Sequence, residues 1–126
     1  MGRATRERSL RILVIDVGGS HIKVHGSGMR KRRRAKSGRR TTPAKMLKRV
    51  RELIGDREFD VASIGYPGPV LQGKPVADPR NLGAGWVGYN YRRALGLPVR
   101  MVNDAVMQAI LVLARGPRCS RSPSRV

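Results

Sequence analysis

The sequence predicts an α/β fold in which a mixed sheet is flanked by helices. Residues 11–17, RILVIDV, form a β-branched apolar run that is typical of a strand buried on both faces. A Gly-Gly-Ser turn follows, and residues 21–26 alternate apolar and polar side chains as the second strand of a hairpin does. An amphipathic helical segment then leads to another short apolar strand at residues 59–65. Strands that alternate with a helix in this way indicate layers of helix on sheet.

The first half of the chain contains one ambiguous segment and one strong helix signal. Residues 29–38, MRKRRRAKSG, are either an edge strand with a solvated face or a basic loop. Thr42 supplies an N-cap with Pro43 at the first helical position, which predicts a helix start. Apolar residues at helical spacing continue to Gly55, where we expect the helix to end.

The second half begins with a stretch that cannot be helical. Residues 65–88 are rich in Gly and Pro, so their backbone can approach a ligand closely. A short helix is predicted near residues 89–96, and a strand at residues 98–102 leads to Asn103 and Asp104. Residues 105–114 are apolar nearly all round, which predicts a helix that needs burial on most of its surface.

Composition limits the classes of function. The 126 residues contain 27 Lys and Arg against 8 Asp and Glu, a formal net charge of +19, and such a charge attracts polyanions. The single cysteine, Cys119, excludes a disulfide framework and suits a reducing compartment. No apolar run is long enough to span a bilayer, so we expect a cytoplasmic protein. Residues 1–10 are expected to be a disordered basic lead-in, and residues 115–126 a disordered basic tail.

Polar and glycine residues follow three predicted strands at the end where each strand finishes. These are Asp16 with Gly18 and Gly19, the loop at residues 65–69, and Asn103 with Asp104. In open α/β sheets the ligand crevice lies at the carboxyl ends of the strands. The amides of Gly18 and Gly19 are expected to face phosphate oxygens, and Asp16 to hold phosphate-bound Mg²⁺. Alternatively, the glycine pair only makes a hairpin turn.

Asp104 admits two interpretations. As a partly shielded carboxylate it could accept a proton from a hydroxyl that attacks a phosphate, with Asn103 orienting that hydroxyl. As the residue before an apolar helix, it could instead serve as the helix N-cap. The two roles are compatible. Trp86 and Tyr89 likewise either stack on a sugar ring or pack their loop against the core.

Two longer segments resemble a known family. VIDVGGSHIKV resembles the first phosphate motif of the sugar-kinase and actin superfamily. The segment from SIGYPGP through NLGAGW to PVRMVNDA resembles the ROK family of sugar kinases, and within it the glucokinases of the polyphosphate branch. The resemblance runs from about residue 11 to residue 108. It implies that residues 11–114 form the N-terminal, ribonuclease-H-like lobe of such a kinase, which transfers a phosphoryl group from ATP or polyphosphate to the 6-hydroxyl of glucose or a related hexose.

The resemblance also implies a role for each residue of the predicted crevice. Asp104 corresponds to the base that deprotonates the sugar hydroxyl, and Asp16 to the acid that serves Mg²⁺ and phosphate. The residues implied to bind sugar are Asn103, Asn81, Leu82, Gly68 and Pro69, and those implied to bind phosphate are Asp16, Gly18, Gly19 and Ser20.

The sequence departs from the family after Gln108. The family continues with a second glycine-rich phosphate motif and a second lobe, whereas residues 109–126 change abruptly to a basic, Ser- and Pro-containing composition. We therefore expect a reading-frame shift or truncation near Ala109, and an isolated chain that is inactive. An apolar helix left uncovered would favour oligomerisation, including a homodimer.

Two other classes of function stay open. The cluster of arginines and lysines at residues 30–40 is compatible with a solvated strand face or with a track for long polyanionic donors such as polyphosphate. It is also compatible with a basic protein that binds nucleic acid as a non-specific polyanion, although the cluster contains no interleaved aromatic residues. A non-catalytic remnant of a kinase gene is the other alternative.

Overall fold

The structure is a computed structural model and describes residues 10–105 of the chain. Its main feature is a five-stranded sheet with strand order β3-β2-β1-β4-β7. The strands of this sheet are β1 (Ile12–Val17), β2 (His21–Gly26), β3 (Arg33–Lys36), β4 (Val61–Tyr66) and β7 (Val99–Asn103). The predicted strands are therefore confirmed, and the ambiguous basic segment forms a short edge strand.

The sheet is mixed, as predicted. β1 pairs antiparallel with β2, and β2 antiparallel with β3, while β1 and β4 are parallel and β4 and β7 are parallel. Parallel strands end at the same edge of a sheet, so the carboxyl ends of β1, β4 and β7 lie side by side. This topology puts the residues that follow those three strands at one edge.

Helix α1 (Pro43–Ile54) contacts β2 and β3 and closes the core over one face of the sheet. Its N-cap is Thr42, whose Oγ1 accepts a hydrogen bond from the Lys45 amide at 3.3 Å, and it ends at Gly55 with a φ of 63°. Met46, Leu47 and Val50 of the predicted apolar stripe are buried in the core, and the last two apolar residues of the helix are partly buried against it. The helix and strand residues that form its centre are Leu13, Ile15, Ile22, Val24, Met46, Leu47, Val50 and Ile64.

The Gly- and Pro-rich segment at residues 65–88 contains no helix, in agreement with the prediction. It does contain a small hairpin that the sequence analysis did not predict, formed by β5 (Val70–Leu71) and β6 (Lys74–Pro75). The turn between these strands places Gln72 and Gly73 at positive φ angles of 52° and 77°. A two-residue turn of this geometry matches the right-handed twist of the flanking strands.

The aromatic residues after the hairpin pack the loop against the core. The Trp86 side chain is fully buried, and its ring centroid lies 5.8 Å from that of Tyr66. The Tyr89 ring lies 4.9 Å from the ring of Tyr91, which begins the predicted short helix α2 (Tyr91–Leu95). Of the two interpretations of Trp86 and Tyr89, packing is confirmed.

Several predictions concern residues outside the described part of the chain. These are the basic lead-in up to residue 9, most of the apolar segment at 105–114, the departure near Ala109 and the tail at 115–126. Within residues 10–105, no helix has the length and apolar character needed to cross a bilayer.

Candidate functional site

The candidate site lies at the sheet edge where the three parallel strands end. The β1–β4 register pairs Asp16 with Gly65, and the β4–β7 register pairs Tyr66 with Asn103. The structure thus brings Asp16, the loop after β4 and Asn103 with Asp104 to one edge of the sheet. Strand pairing alone produces this arrangement, because these residues are separated by up to 88 positions in the chain.

The turn between β1 and β2, residues 18–20, is called the phosphate turn here. Its Gly18 amide donates a hydrogen bond to the His21 carbonyl oxygen at 2.9 Å. The expectation that this amide is free for a phosphate is therefore wrong, because the hairpin itself uses it. The amides of Gly19 and Ser20 have no hydrogen-bond partner within residues 10–105, and both residues are exposed. The anion-facing donors of the turn are thus Gly19 and Ser20.

Ser37, immediately after β3, holds the phosphate turn from the other side. Its Oγ donates a hydrogen bond to the Gly18 carbonyl oxygen at 2.6 Å, and its amide donates to the Ser20 carbonyl oxygen at 2.9 Å. The phosphate turn is therefore fixed by a hydrogen bond within the β1–β2 hairpin and by the two hydrogen bonds from Ser37 after β3. The sequence analysis did not single out Ser37, since no local pattern pairs it with a turn 17 residues earlier.

The phosphate turn also contacts the N-L-G segment. A Cβ placed on Gly19 would lie 3.2 Å from the Asn81 Cβ, so the two residues are in close approach. Asn81 itself is exposed and available to a ligand. Leu82 is only 7% exposed and packs in the hydrophobic core, so its side chain supports the segment from below and only its backbone can face the crevice.

Gly83 fixes the position of the N-L-G segment, a role that the sequence analysis did not assign. Its amide donates a hydrogen bond to the Thr41 carbonyl oxygen at 2.8 Å. A Cβ at Gly83 would lie 3.0 Å from both the Arg40 carbonyl carbon and the Thr41 carbonyl oxygen. These neighbours are backbone atoms, so they have little freedom to move aside. The available sequence signal was the glycine itself within NLGAGW.

Asn103 connects the end of β7 to the loop after β4. Its Nδ2 donates a hydrogen bond to the Gly68 carbonyl oxygen at 2.8 Å, and its Oδ1 accepts one from the Ala105 amide at 3.0 Å. The second contact is the N-cap geometry of a helix start, and Asp104 and Ala105 are indeed helical. The capping role considered for Asp104 therefore belongs to Asn103, which leaves the Asp104 carboxylate available for other chemistry.

The loop after β4 is shaped by its glycine. A Cβ at Gly68 would lie 2.9 Å from the Tyr66 ring, so a larger residue would push the loop away from the strand end. Pro69 is exposed, and its carbonyl oxygen accepts a hydrogen bond from the Val76 amide at 3.1 Å, which attaches the small hairpin to the loop.

The electrostatics of the edge centre on Asp16. Burial raises the pKa of its carboxyl above the ordinary value, and the negative charge of Asp104 raises it further. The positive charges of Lys23 and Arg32 act in the opposite direction. Two carboxylates that repel each other across a crevice favour a cation between them.

The chemistry of this edge fits Mg²⁺ shared with a phosphate ligand. Mg²⁺ in phosphoryl-transfer sites is held by one or two carboxylates together with substrate phosphates. Within residues 10–105, no three His, Cys, Asp or Glu side chains form a group that could hold a metal by themselves. Asp16 would therefore supply the protein carboxylate, and the phosphate and water would supply the remaining ligands.

The strand topology places the chain in a structural class. A mixed sheet with two antiparallel and two parallel pairings, closed on one face by a helix, is an α/β fold, and it is shared with a solved structure. The solved structure of the "Lmo2764 protein, a putative N-acetylmannosamine kinase, from Listeria monocytogenes" superposes on it with a TM-score of 0.60 at 19% sequence identity. The match covers 76% of this chain and 36% of the Listeria protein, so this chain corresponds to about a third of that structure. A scan of protein-family models and a search of curated proteins gave no match.

Proposed function

We propose that this chain is the N-terminal lobe of a sugar kinase that transfers a phosphoryl group from ATP or polyphosphate to the 6-hydroxyl of glucose or a related hexose. The observation that supports the proposal is the convergence, at one sheet edge, of an anion-facing turn, an exposed amide and two carboxylates: Gly19 and Ser20, Asn81, Asp16 and Asp104. Each of these groups has a place in phosphoryl transfer, which depends mainly on positioning and charge neutralisation.

Asp104 is proposed as the general base. Its carboxylate accepts the proton of the sugar hydroxyl as that oxygen attacks the terminal phosphorus of the donor, and the donor's bridging oxygen leaves with the bond electrons. A positioned base of this kind contributes about 10²–10⁴ in rate. Asn103 keeps the Gly68 loop against the strand end and caps the helix that presents Asp104.

The phosphate turn is proposed to receive the donor. The free amides of Gly19 and Ser20 donate hydrogen bonds to phosphate oxygens, as backbone nests do. Asp16 would hold Mg²⁺, which when bound neutralises charge on the transferring phosphate. Exposed Asn81, in contact with Gly19, is placed to bind a sugar hydroxyl beside the turn.

The test uses Asp104→Asn with Asp56→Asn as the matched control, since Asp56 is an exposed carboxylate at the far end of α1. Hexose binding is followed by thermal shift of this chain. Turnover is followed in a full-length version that carries the second lobe, by coupled detection of the hexose 6-phosphate with ATP and then polyphosphate as donor. We expect Asp104→Asn to lower turnover by about 10²-fold or more while the hexose-induced shift persists. Turnover of Asp104→Asn at the wild-type rate would refute the assignment of Asp104 as general base. The absence of a thermal shift with any hexose would refute the sugar site.

The identity of the acceptor hexose is tested separately from the transfer step. The name of the Listeria protein indicates N-acetylmannosamine as an alternative to glucose. Both sugars therefore belong in the thermal-shift series, and the one that gives the larger shift at equal concentration identifies the acceptor class.

A further inference from the structure

Three neighbouring cavities lie along β7, which is an edge strand of the five-stranded sheet. The central cavity has a volume of about 490 Å³ and lies between β7, the small hairpin and the start of α2. A cavity of about 450 Å³ shares Gly73, Lys74 and Val99 with it, and a cavity of about 360 Å³ shares Asn90 and Arg92 with it. Because the three cavities share residues of their walls, they form one continuous groove, which we call the β7 groove.

The floor of the β7 groove is apolar. Val99 and Met101 of β7 and Pro75 of the small hairpin line the central cavity, and Met101 belongs to the hydrophobic core. The wall formed by α2 is held in place by Arg51 of α1, whose Nη2 donates a hydrogen bond to the Ala94 carbonyl oxygen at 2.5 Å. An apolar floor between walls that are attached to the core favours a ligand with apolar side chains.

The rim of the β7 groove is positively charged. Lys74, Arg92, Arg93 and Arg100 line the three cavities, and all four are exposed. Among the described residues, no Asp or Glu lines these cavities, and the ion pairs within residues 10–105 include none of the four cations. The rim therefore favours a ligand that carries carboxylates.

The edge of β7 offers main-chain hydrogen bonds to a ligand. On the inner side, the Ala62 amide of β4 donates to the Pro98 carbonyl oxygen at 2.9 Å. Backbone groups alternate in direction along a strand, so those of Val99 point to the outer edge, where no residue of the described range 10–105 bonds to them. The small hairpin contacts β7 but belongs to a separate two-stranded sheet. An unpaired strand edge favours an extended ligand, which can pair with it as an added strand.

We propose that the β7 groove binds an extended segment of a partner protein in which acidic residues alternate with apolar ones. Successive side chains of an extended chain point to opposite sides, so one set would meet the apolar floor and the other the cationic rim. A second copy of this chain is a poor occupant, because each copy carries a formal net charge of +19. Nucleic acid is also a poor occupant, because its phosphates gain nothing from an apolar floor.

The β7 groove is separate from the candidate functional site. Val99 begins β7 and Asn103 ends it, and four residues of extended strand span about 13 Å. The inference therefore goes beyond the proposed kinase function and does not rest on it, since a hexose and an acidic segment can be bound at the same time.

The probe is a fluorescein-labelled peptide of about five glutamate–valine repeats, which is extended in the proposed complex. Its binding to the full chain is measured by fluorescence anisotropy. The groove variant combines Lys74→Gln, Arg92→Gln and Arg100→Gln. An exposed ion pair changes an equilibrium constant by a factor of about 1.5–5, so we expect the three substitutions to weaken binding about tenfold.

The matched control combines Lys31→Gln, Lys45→Gln and Lys48→Gln. These residues are exposed and lie outside the β7 groove, and the control removes the same net charge as the groove variant. Thermal unfolding of both variants checks that each is folded. We expect the control to bind the peptide within about twofold of the wild type, as expected for screened surface charges. Equal weakening in both variants would show that only net charge matters and would overturn the proposal.

A second peptide tests the apolar floor in the wild-type chain. Serine replaces valine in it, which keeps the charge and removes the apolar side chains. A buried methylene group contributes about fourfold to an equilibrium constant, so we expect the glutamate–serine peptide to bind at least about tenfold more weakly. Val99→Thr keeps the β-branched shape and should weaken the glutamate–valine peptide alone, by about fourfold. Equal binding of the two peptides to the wild type would overturn the proposal.

Two further measurements test the other occupants. Sedimentation velocity of the chain without peptide tests a second copy, and anisotropy of a labelled DNA duplex tests nucleic acid. We expect the groove variant to sediment as the wild type does and to bind the duplex as the control does. Self-association that only the groove variant loses would assign the groove to a second copy. Duplex binding that only the groove variant loses would assign it to nucleic acid, and either result refutes the proposal.

Discussion

Asn103→Asp tests the link between the end of β7 and the loop after β4. The carboxylate keeps an acceptor for the Ala105 amide, so the helix cap survives. It removes the donor that now lies 2.8 Å from the Gly68 carbonyl oxygen and puts a negative oxygen in its place. An intramolecular hydrogen bond contributes about 1 kcal/mol, and an acceptor left unsatisfied costs about 1–3 kcal/mol. Because Asn103 is half-buried, we expect a loss of about 2 kcal/mol in the free energy of unfolding.

The assay is thermal unfolding of the full chain. For a domain of this size, about 2 kcal/mol lowers the Tm by roughly 8–16 °C. Asn103→Ser is the matched comparison, because its hydroxyl can cap the helix but is too short to reach Gly68, and it adds no charge. We expect Asn103→Ser to lose about half as much as Asn103→Asp. A Tm of Asn103→Asp within about 2 °C of the wild type would refute the assignment of this hydrogen bond.

Two further predictions concern the phosphate turn and the segment that supports it. Because the folded-state pKa of Asp16 is raised above its ordinary value of 3.8, its ionised form costs folding free energy, and stability rises as the pH falls through the folded pKa. Asp16→Asn should therefore raise the Tm near neutral pH, with a gain that shrinks toward about pH 4; a gain that is independent of pH would contradict the burial argument. Gly83→Ala should destabilise by about 1–3 kcal/mol, because its Cβ meets backbone 3.0 Å away, whereas Gly38→Ala, with no atom within 4 Å, should leave the Tm nearly unchanged. Equal Tm values for the two alanine variants would show that the N-L-G segment can move aside.

Local sequence patterns were sufficient to predict most of the strands and the main helix. The β-branched run of β1 and the alternation of β2 have the periods of their strands, and Thr42 with Pro43 and Gly55 marks both ends of α1. Each of these signals lies within a few residues of the strand or helix that it predicts. The small hairpin at residues 70–75 was missed because its strands are only two residues long and one of them contains a proline.

The candidate site was predictable in part. Asp16 and Asp104 stand out because each is a single carboxylate at the carboxyl end of an apolar strand, and the rule for parallel sheets predicts that such positions meet. The contributions of Gly83 and Ser37 were not predictable, since each depends on a hydrogen bond to a residue that is distant in sequence. The Gly83 partner is 42 positions away, and the Ser37 partners are 17 and 19 positions away.

The sequence by itself determined the class of fold, the boundaries of its principal strands and helix, and the set of side chains available at the crevice. The tertiary structure decided which atoms remain free to act. It engaged the Gly18 amide within the hairpin, buried Leu82 in the core and gave the helix cap to Asn103, which left Gly19, Ser20 and Asp104 open. The physical reason is that each buried or bonded donor and acceptor is satisfied by whichever partner packing brings within about 3 Å, and sequence order does not specify that partner.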